Sequence, residues 1–207
     1  MNKDKTQELV ELEIINEKEL TTDNIQDKKG IIDVLAKTSD GTNINIEVQL
    51  TNQDNMDKRT LFYWSRIYSR SIVKGEDYSN LNKVITINIL DFKYLKNNRY
   101  HNAYRLKEIK TNEQLTDVME IHFIEIPKLK KVKNSQEITD MLTAWIEFIN
   151  NPEGEVISNL EMSKKEIREA QEELIRWSAN SRERSIYEKR KESLLNQTSA
   201  IIKATEE

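Results

Sequence analysis

The stretch from Gly30 to Leu50, GIIDVLAKTSDGTNINIEVQL, constrains this chain more than any other. Two apolar-rich runs flank Thr38–Thr42, and the Asp40-Gly41 pair supplies the residue types that a tight reversal requires. An antiparallel pair centred on residue 40 sets positions whose numbers add to 80 against each other. Asp33 then faces Glu47, Leu35 faces Asn45 and Ile31 faces Gln49. Side chains alternate across a strand. Ile32, Val34, Ala36, Ile44, Ile46 and Val48 therefore share one face, expected to be the core face, while Asp33, Glu47 and Gln49 share the other.

Directly opposed side chains have Cβ atoms about 4.5–5.5 Å apart, and like charges in that position destabilise a sheet. Two readings follow. In one, the outer face is solvated and the two acids merely meet there. In the other, a hard divalent ion such as Mg²⁺, bound by one or two carboxylates and waters, removes the repulsion.

Composition removes several alternatives. The chain has no cysteine, which excludes disulfides, thiolate metal sites and a Cys nucleophile. His101 and His122 show no zinc-ligand spacing and read as ordinary surface or strand residues. No apolar run approaches membrane-spanning length, and the polar start MNKDKTQELVE is no signal peptide. The expectation is a cytoplasmic protein with no membrane partner. A net charge of −4 runs against nucleic-acid binding, yet residues 55–110 hold twelve Lys and Arg against five Asp and Glu. That basic zone follows directly on the carboxylate pair.

Around the hairpin the pattern alternates between strand and helix. LVELEII (9–15) alternates apolar and acidic residues as a half-buried strand does, with Glu11 and Glu13 outward. A helix is expected from Asn52–Asp57 to about Val73, capped by Asp54 or Asn55 and facing the sheet through Leu61, Trp64, Tyr68 and Ile72. Arg59, Tyr63, Arg66 and Arg70 recur on a second face, fit either for solvent or for phosphate contact. KVITINIL (83–90) reads as a buried strand, parallel to its neighbour because a helix intervenes. Asp91–Lys110 reads as a partly irregular connection, and DVMEIHFIEI (117–126) as a last strand stopped by Pro127.

From Ser135 the pattern is helical, with Ile138, Met141, Leu142, Trp145, Phe148 and Ile149 on one face and a stop at Asn151–Gly154. Ser163 and Glu166 match a capping box ahead of the stripe Ile167, Ala170, Leu174 and Trp177. Arg182–Ile202 has few apolar anchors (Ile186, Leu194, Leu195) and reads as a helix that needs a partner.

This ordered set resembles the PD-(D/E)XK nuclease superfamily, and within it the recombination-promoting nuclease / putative transposase family. The resemblance is carried by the hairpin with its Asp33…Glu47-Val48-Gln49, by RTLFYWSRIYSRSI with KGEDY after it, by VITINILDF, and by IREAQEELIRWSANSRERSIYEKRKESL. It implies an α/β, restriction-endonuclease-like mixed sheet flanked by helices, with a C-terminal helical extension. Residues 1–133 would form the nuclease core and 134–207 the helical region. The implied activity is Mg²⁺-dependent DNA endonuclease chemistry, with Mn²⁺ able to substitute. Asp33 and Glu47 would hold the metal, Gln49 would complete the catalytic set, and Arg59, Tyr63, Arg66 and Arg70 would contact DNA. Gln49 stands where the superfamily's name has Lys, as in the family's own Glu-x-Gln pattern; a neutral amide orients a water but takes no proton from it. Lys37 lies on the face of Asp33, two residue pairs away, and is not expected to replace the amine.

One departure sets a competing expectation. Members of the family begin with a helical segment carrying an Asp-x-x-Phe-like motif, whereas here LVELEII follows Met1 within a few residues. The alternative reading is a shortened or inactive nuclease-like protein that binds DNA or a partner protein. Two-strand cutting would favour a homodimer.

Overall fold

The protein is represented by a computed structural model, which describes residues 9–13, 34–129 and 138–179. The chain divides into two compact units, Met1–Leu129 and Lys130–Glu207.

The first unit is built on a six-stranded mixed sheet. Its strands are β1 (Leu9–Glu13), β2 (Val34–Thr38), β3 (Asn43–Gln49), β4 (Val84–Leu90), β5 (His101–Tyr104) and β6 (Met119–Glu125), in the spatial order β1-β2-β3-β4-β6-β5. The β3–β4 and β4–β6 pairings are parallel; the other three are antiparallel.

The turn sets the hairpin register. Val34 pairs with Ile46, Leu35 with Asn45, Ala36 with Ile44 and Lys37 with Asn43, the pairing expected from Asp40-Gly41. The Gly41 N–H donates to the Thr38 carbonyl at 2.9 Å, and the Asp40 carboxylate accepts from the Thr42 N–H at 3.1 Å. Gly41 has φ +86°, a backbone conformation that calls for glycine, and a Cβ there would displace the end of the Asn82 side chain, whose Oδ1 would lie 2.8 Å away.

The face expected to be outer is the more deeply buried of the two, although Ala36 on the other face is also buried. Asn45 and Glu47 are wholly buried, whereas Val48 on the apolar face is 39% exposed and Ile44 and Ile46 are half-buried. The cause is the crossover. After β3 the chain enters α1 (Met56–Arg70), which returns over the Leu35–Asn45–Glu47 face to reach β4. Tyr63, Ile67 and Val84 form its core with Leu35, Trp64 and Tyr68, each large apolar side chain contributing about 1.5–3 kcal/mol when fully buried.

The helix is also rotated from its expected phase. Its buried stripe is Met56, Thr60, Tyr63 and Ile67, while Leu61 is 47% exposed. Thr60 enters the core because its hydroxyl donates to the Asn88 Oδ1 at 2.9 Å, a partner on β4 that helical periodicity does not reveal. Asn55 occupies the cap position without a side-chain cap bond, and Asp54, at φ +54°, accepts instead from the Asn52 amide.

Beyond β4, the connection expected to be irregular contains β5, which pairs with β6. Strand β6 ends at Glu125, and Pro127 falls in the short 3-10 turn Ile126–Lys128 that follows.

In the second unit α2 (Met141–Asn150), α3 (Glu155–Glu161) and α4 (Lys165–Ala179) enclose Ile138, Ala144, Ile157, Leu160 and Ile167. The Asp140 carboxylate caps α2 by accepting from the Thr143 N–H and hydroxyl, both at 2.8 Å, and this sets the helix phase. Thr143, Ala144 and Ile146 point inward, whereas Trp145 and Ile149, expected inside, are 37% and 44% exposed. Asn151–Gly154 ends α2 and opens α3, a helix the sequence pattern did not suggest. Ser163 does not form the expected capping box: its hydroxyl donates to the Leu160 carbonyl, and α4 starts at Lys165. Along α4, Ile167 is buried and Leu174 is 39% exposed. The Trp177 side chain and the expected helix at 182–202 lie outside the described residues.

Candidate active site

Parallel strands leave a crevice at their carboxyl ends where connecting segments diverge, and α/β proteins bind ligands there. Glu47 and Gln49 stand at that end of β3, level with Asn88 and Leu90 of β4. The Glu47 Oε1 accepts from the Arg59 Nε at 2.6 Å and the Gln49 Nε2 at 3.0 Å, and lies 2.5 Å from the Arg59 Nη2. The Glu47 side chain is fully buried and that of Arg59 is 24% exposed. Burying a carboxylate without a cation costs several kcal/mol, so the guanidinium is a condition of this packing. The Tyr63 ring lies 5.3 Å from the guanidinium carbon and supports it from below.

Polar groups continue inward from this pair. Asn88 accepts from Thr60 and donates to the His122 carbonyl at 2.9 Å. One row further in, both amide atoms of Asn45 and the hydroxyl of Thr86 are buried without a hydrogen-bond partner among the described residues. A helix-covered sheet face made of Asn45, Glu47, Thr86 and Asn88 sacrifices apolar burial, as functional faces do.

A family model of the PD-(D/E)XK nuclease family transposases matches residues 1–204. The chain belongs to this family. No curated protein and no solved structure matches it. The mixed sheet with α1 is accordingly a restriction-endonuclease-like α/β fold, and membership supports a nuclease- or transposase-like role.

PD-(D/E)XK nucleases generally use divalent metal ions. Among the described residues, no group of three or more His, Asp or Glu is arranged to hold one. Glu47 nevertheless fits as one ligand: it offers a hard anionic oxygen in a dry position, and its packing already demands a positive charge beside it. Among the described residues the other wholly buried carboxylate, Glu125, does not fit. Its oxygens are taken by the Tyr94 and Leu95 N–H groups at 2.6 and 3.1 Å and by the Lys128 Nζ at 2.7 Å.

The structure of this nuclease-family protein brings Glu47, Gln49 and Arg59 together; Asp33 lies outside the described residues. Strand β1 runs beside β2, with Glu11 opposite Lys37 and Glu13 opposite Leu35. The helix face expected to contact DNA is not one face. Tyr63 is 5% exposed and belongs to the core, Arg59 turns to Glu47, Arg66 stands over the Phe62 ring at 5.6 Å, and Arg70 lines a groove at the far end of α1. Sequence spacing could not reveal the Arg59–Glu47 pair, because the two residues belong to different elements.

Both histidines are strand residues, as expected, but they are in contact with each other, which the sequence did not suggest. Antiparallel β5 and β6 set the His101 Nε2 2.8 Å from the His122 Nδ1, and the His122 Nε2 lies 2.9 Å from the Glu120 Oε1. The Lys83 Nζ and Arg105 Nη2 approach the other Glu120 oxygen at 3.0 and 2.9 Å. Desolvation raises the Glu120 pKa, but hydrogen bonds from Lys83 and His122 and the charges of Lys83 and Arg105 outweigh it and bring it to about 2. Desolvation, then the nearby His122, lowers the His101 pKa. No short-range sequence signal links residues 101 and 122, since only the pairing of β5 with β6 joins them.

Proposed function

We propose that this protein is a divalent-metal-dependent DNA endonuclease that hydrolyses phosphodiester bonds in DNA recombination or transposition. Mg²⁺ is the proposed cofactor, with Mn²⁺ able to substitute, and Asp33 and Glu47 would hold it. The observation that carries the reading is the wholly buried Glu47 carboxylate at the carboxyl end of β3, with Gln49 and Arg59 on the same oxygen. Further support comes from the hairpin register from Val34↔Ile46 to Lys37↔Asn43, the register on which the expected Asp33–Glu47 pair rests. When bound, the ion would supply water activation and neutralise charge building on the phosphorus.

The chain's own residues divide the remaining work. Gln49 donates its Nε2 hydrogen to Glu47, which fixes the amide and leaves its carbonyl oxygen to orient a water. Arg59 neutralises the buried Glu47 charge, and its partly exposed guanidinium would be available to a substrate phosphate were that charge held by a divalent ion instead. DNA is the proposed partner, a homodimer the proposed form for two-strand cutting, and the cytoplasm the proposed location. No helix among the described residues is long and apolar enough to cross a membrane.

Purified protein should cut DNA with Mg²⁺ or Mn²⁺, and Asp33→Ala and Glu47→Gln should each stop it. Cleavage that survives both changes would remove the active site from this end of β3. A second reading, an inactive DNA-binding relative, is favoured by the guanidinium already seated on Glu47. It expects salt-sensitive DNA binding with no cutting under either metal.

A further inference from the structure

We infer that a groove between the β2–β3 hairpin and the C-terminal end of α1 binds a phosphate of the DNA backbone, apart from the cutting site. The inference rests on the nuclease reading for the identity of its ligand. The groove encloses about 320 Å³, with Leu35 and Ile67 as its floor and Lys37, Asn43, Arg70 and Asn82 around it.

Three features of the groove point to an anion. Lys37 and Arg70 are exposed and have no ion-pair partner among the described residues, and no carboxylate is among the described side chains of the lining. Two cations on one concavity repel each other, and an anion between them removes the repulsion. Arg70 is in the last turn of α1, where the helix dipole alone accounts for a cation; it does not account for Lys37 across the groove. The remaining polar lining includes two carboxamides, neutral hydrogen-bond donors of the kind that complete a phosphate shell, whereas the Ser71 hydroxyl donates to the Tyr68 carbonyl at 2.7 Å.

Placement favours DNA as the source. Asn43 faces Lys37 in the hairpin register and shares the sheet face of Glu47, four residues along β3. Four residues of strand span about 13 Å, the axial rise of about four base pairs. A duplex that reaches Glu47 at the carboxyl end of β3 passes outside α1, which covers this face, and brings further backbone phosphates towards the groove at the helix's other end. The neighbouring acid in register is Glu11, opposite Lys37 on β1.

The test compares the full chain with a Lys37→Met/Arg70→Met double variant. Both side chains are exposed, so the melting temperature should stay unchanged. Duplex DNA affinity, measured at several salt concentrations, should fall, and the slope of log K against log salt should shrink by about one, for the one phosphate lost. Lys37→Arg/Arg70→Lys should restore the slope, and Glu11→Gln should tighten binding. In ¹⁵N-labelled protein, duplex DNA should shift the Asn43 and Asn82 side-chain amides, and millimolar inorganic phosphate should shift the same signals weakly. An unchanged slope in the double variant overturns the proposal. Amide shifts saturated by inorganic phosphate or a mononucleotide but not produced by duplex overturn DNA as the source. If the slope changes while Glu47→Gln still cuts, the groove stands and the active-site reading fails instead.

Discussion

Glu47 and Glu125 are both fully buried, both sit near the carboxyl ends of parallel strands, and the register sets them on the same face of the sheet. They are held in opposite ways. Glu125 meets two backbone N–H groups and Lys128, which is three residues away and only 6% exposed. Lys128 also donates to the Leu95 carbonyl at 2.6 Å, so the pair clamps the segment after β4 to the end of β6. Glu47 meets a long side chain from another element, one that reaches solvent and also has an aromatic face to rest on. The first carboxylate has a counter-charge that cannot leave without unfolding. The second has one that can be exchanged, as a site for a divalent ion requires.

Breaking each pair should separate these roles. Glu125→Gln should lower unfolding free energy by about 3–5 kcal/mol, the usual consequence of leaving one partner of a buried ion pair behind. Urea unfolding measures this, and any surviving folded protein should keep its metal dependence. Glu47→Gln should abolish cutting yet change stability far less, because the stranded Arg59 can reach water. Equal losses of stability in the two variants would erase the contrast.

A sharper version removes the exchangeable partner. Arg59→Met should cost about 1–3 kcal/mol, reduced from the fully buried case by the exposure of the guanidinium. Added Mn²⁺ should raise the melting temperature of this variant more than that of the unaltered protein, since the ion supplies the missing charge. An equal or smaller rise would show that Arg59 is as fixed as Lys128.

The smallest effect should appear at the β5–β6 edge. Glu120 titrates at about 2 in the fold against an ordinary 4.5, so its contribution is full above pH 4.5 and lost as the pH falls through 2. The His101 pKa lies below its ordinary 6.5, so the unfolded chain takes up that proton first and stability declines as the pH drops below 6.5. Hydrogen exchange should show the β5 amides losing protection between pH 7.5 and 5 before those of β3 and β4. Uniform protection across the sheet at pH 5 would remove the histidine contact as the cause.

The register of β2 with β3 was legible because its determinants are neighbours in the chain: Asp40, Gly41 and the Thr38–Thr42 hydrogen bonds close the turn. Strands β4 and β6 were legible as β-branched and apolar runs, one of them halted by Pro127. The strand residues of the candidate site, Glu47 and Gln49, could also be named from their spacing, since a strand carries i and i+2 on one side.

The tertiary structure decided the rest. Alternation defines two faces but does not say which one a helix will cover; α1 covered the more polar one, and with it Tyr63 became core and Arg59 a counter-ion. Four-residue β5 was too short to announce itself, so the meeting of His101 with His122 had no sequence signature. Turn chemistry acts between adjacent residues and can be read along the chain. Burial and charge pairing act between residues that only the completed packing brings within reach.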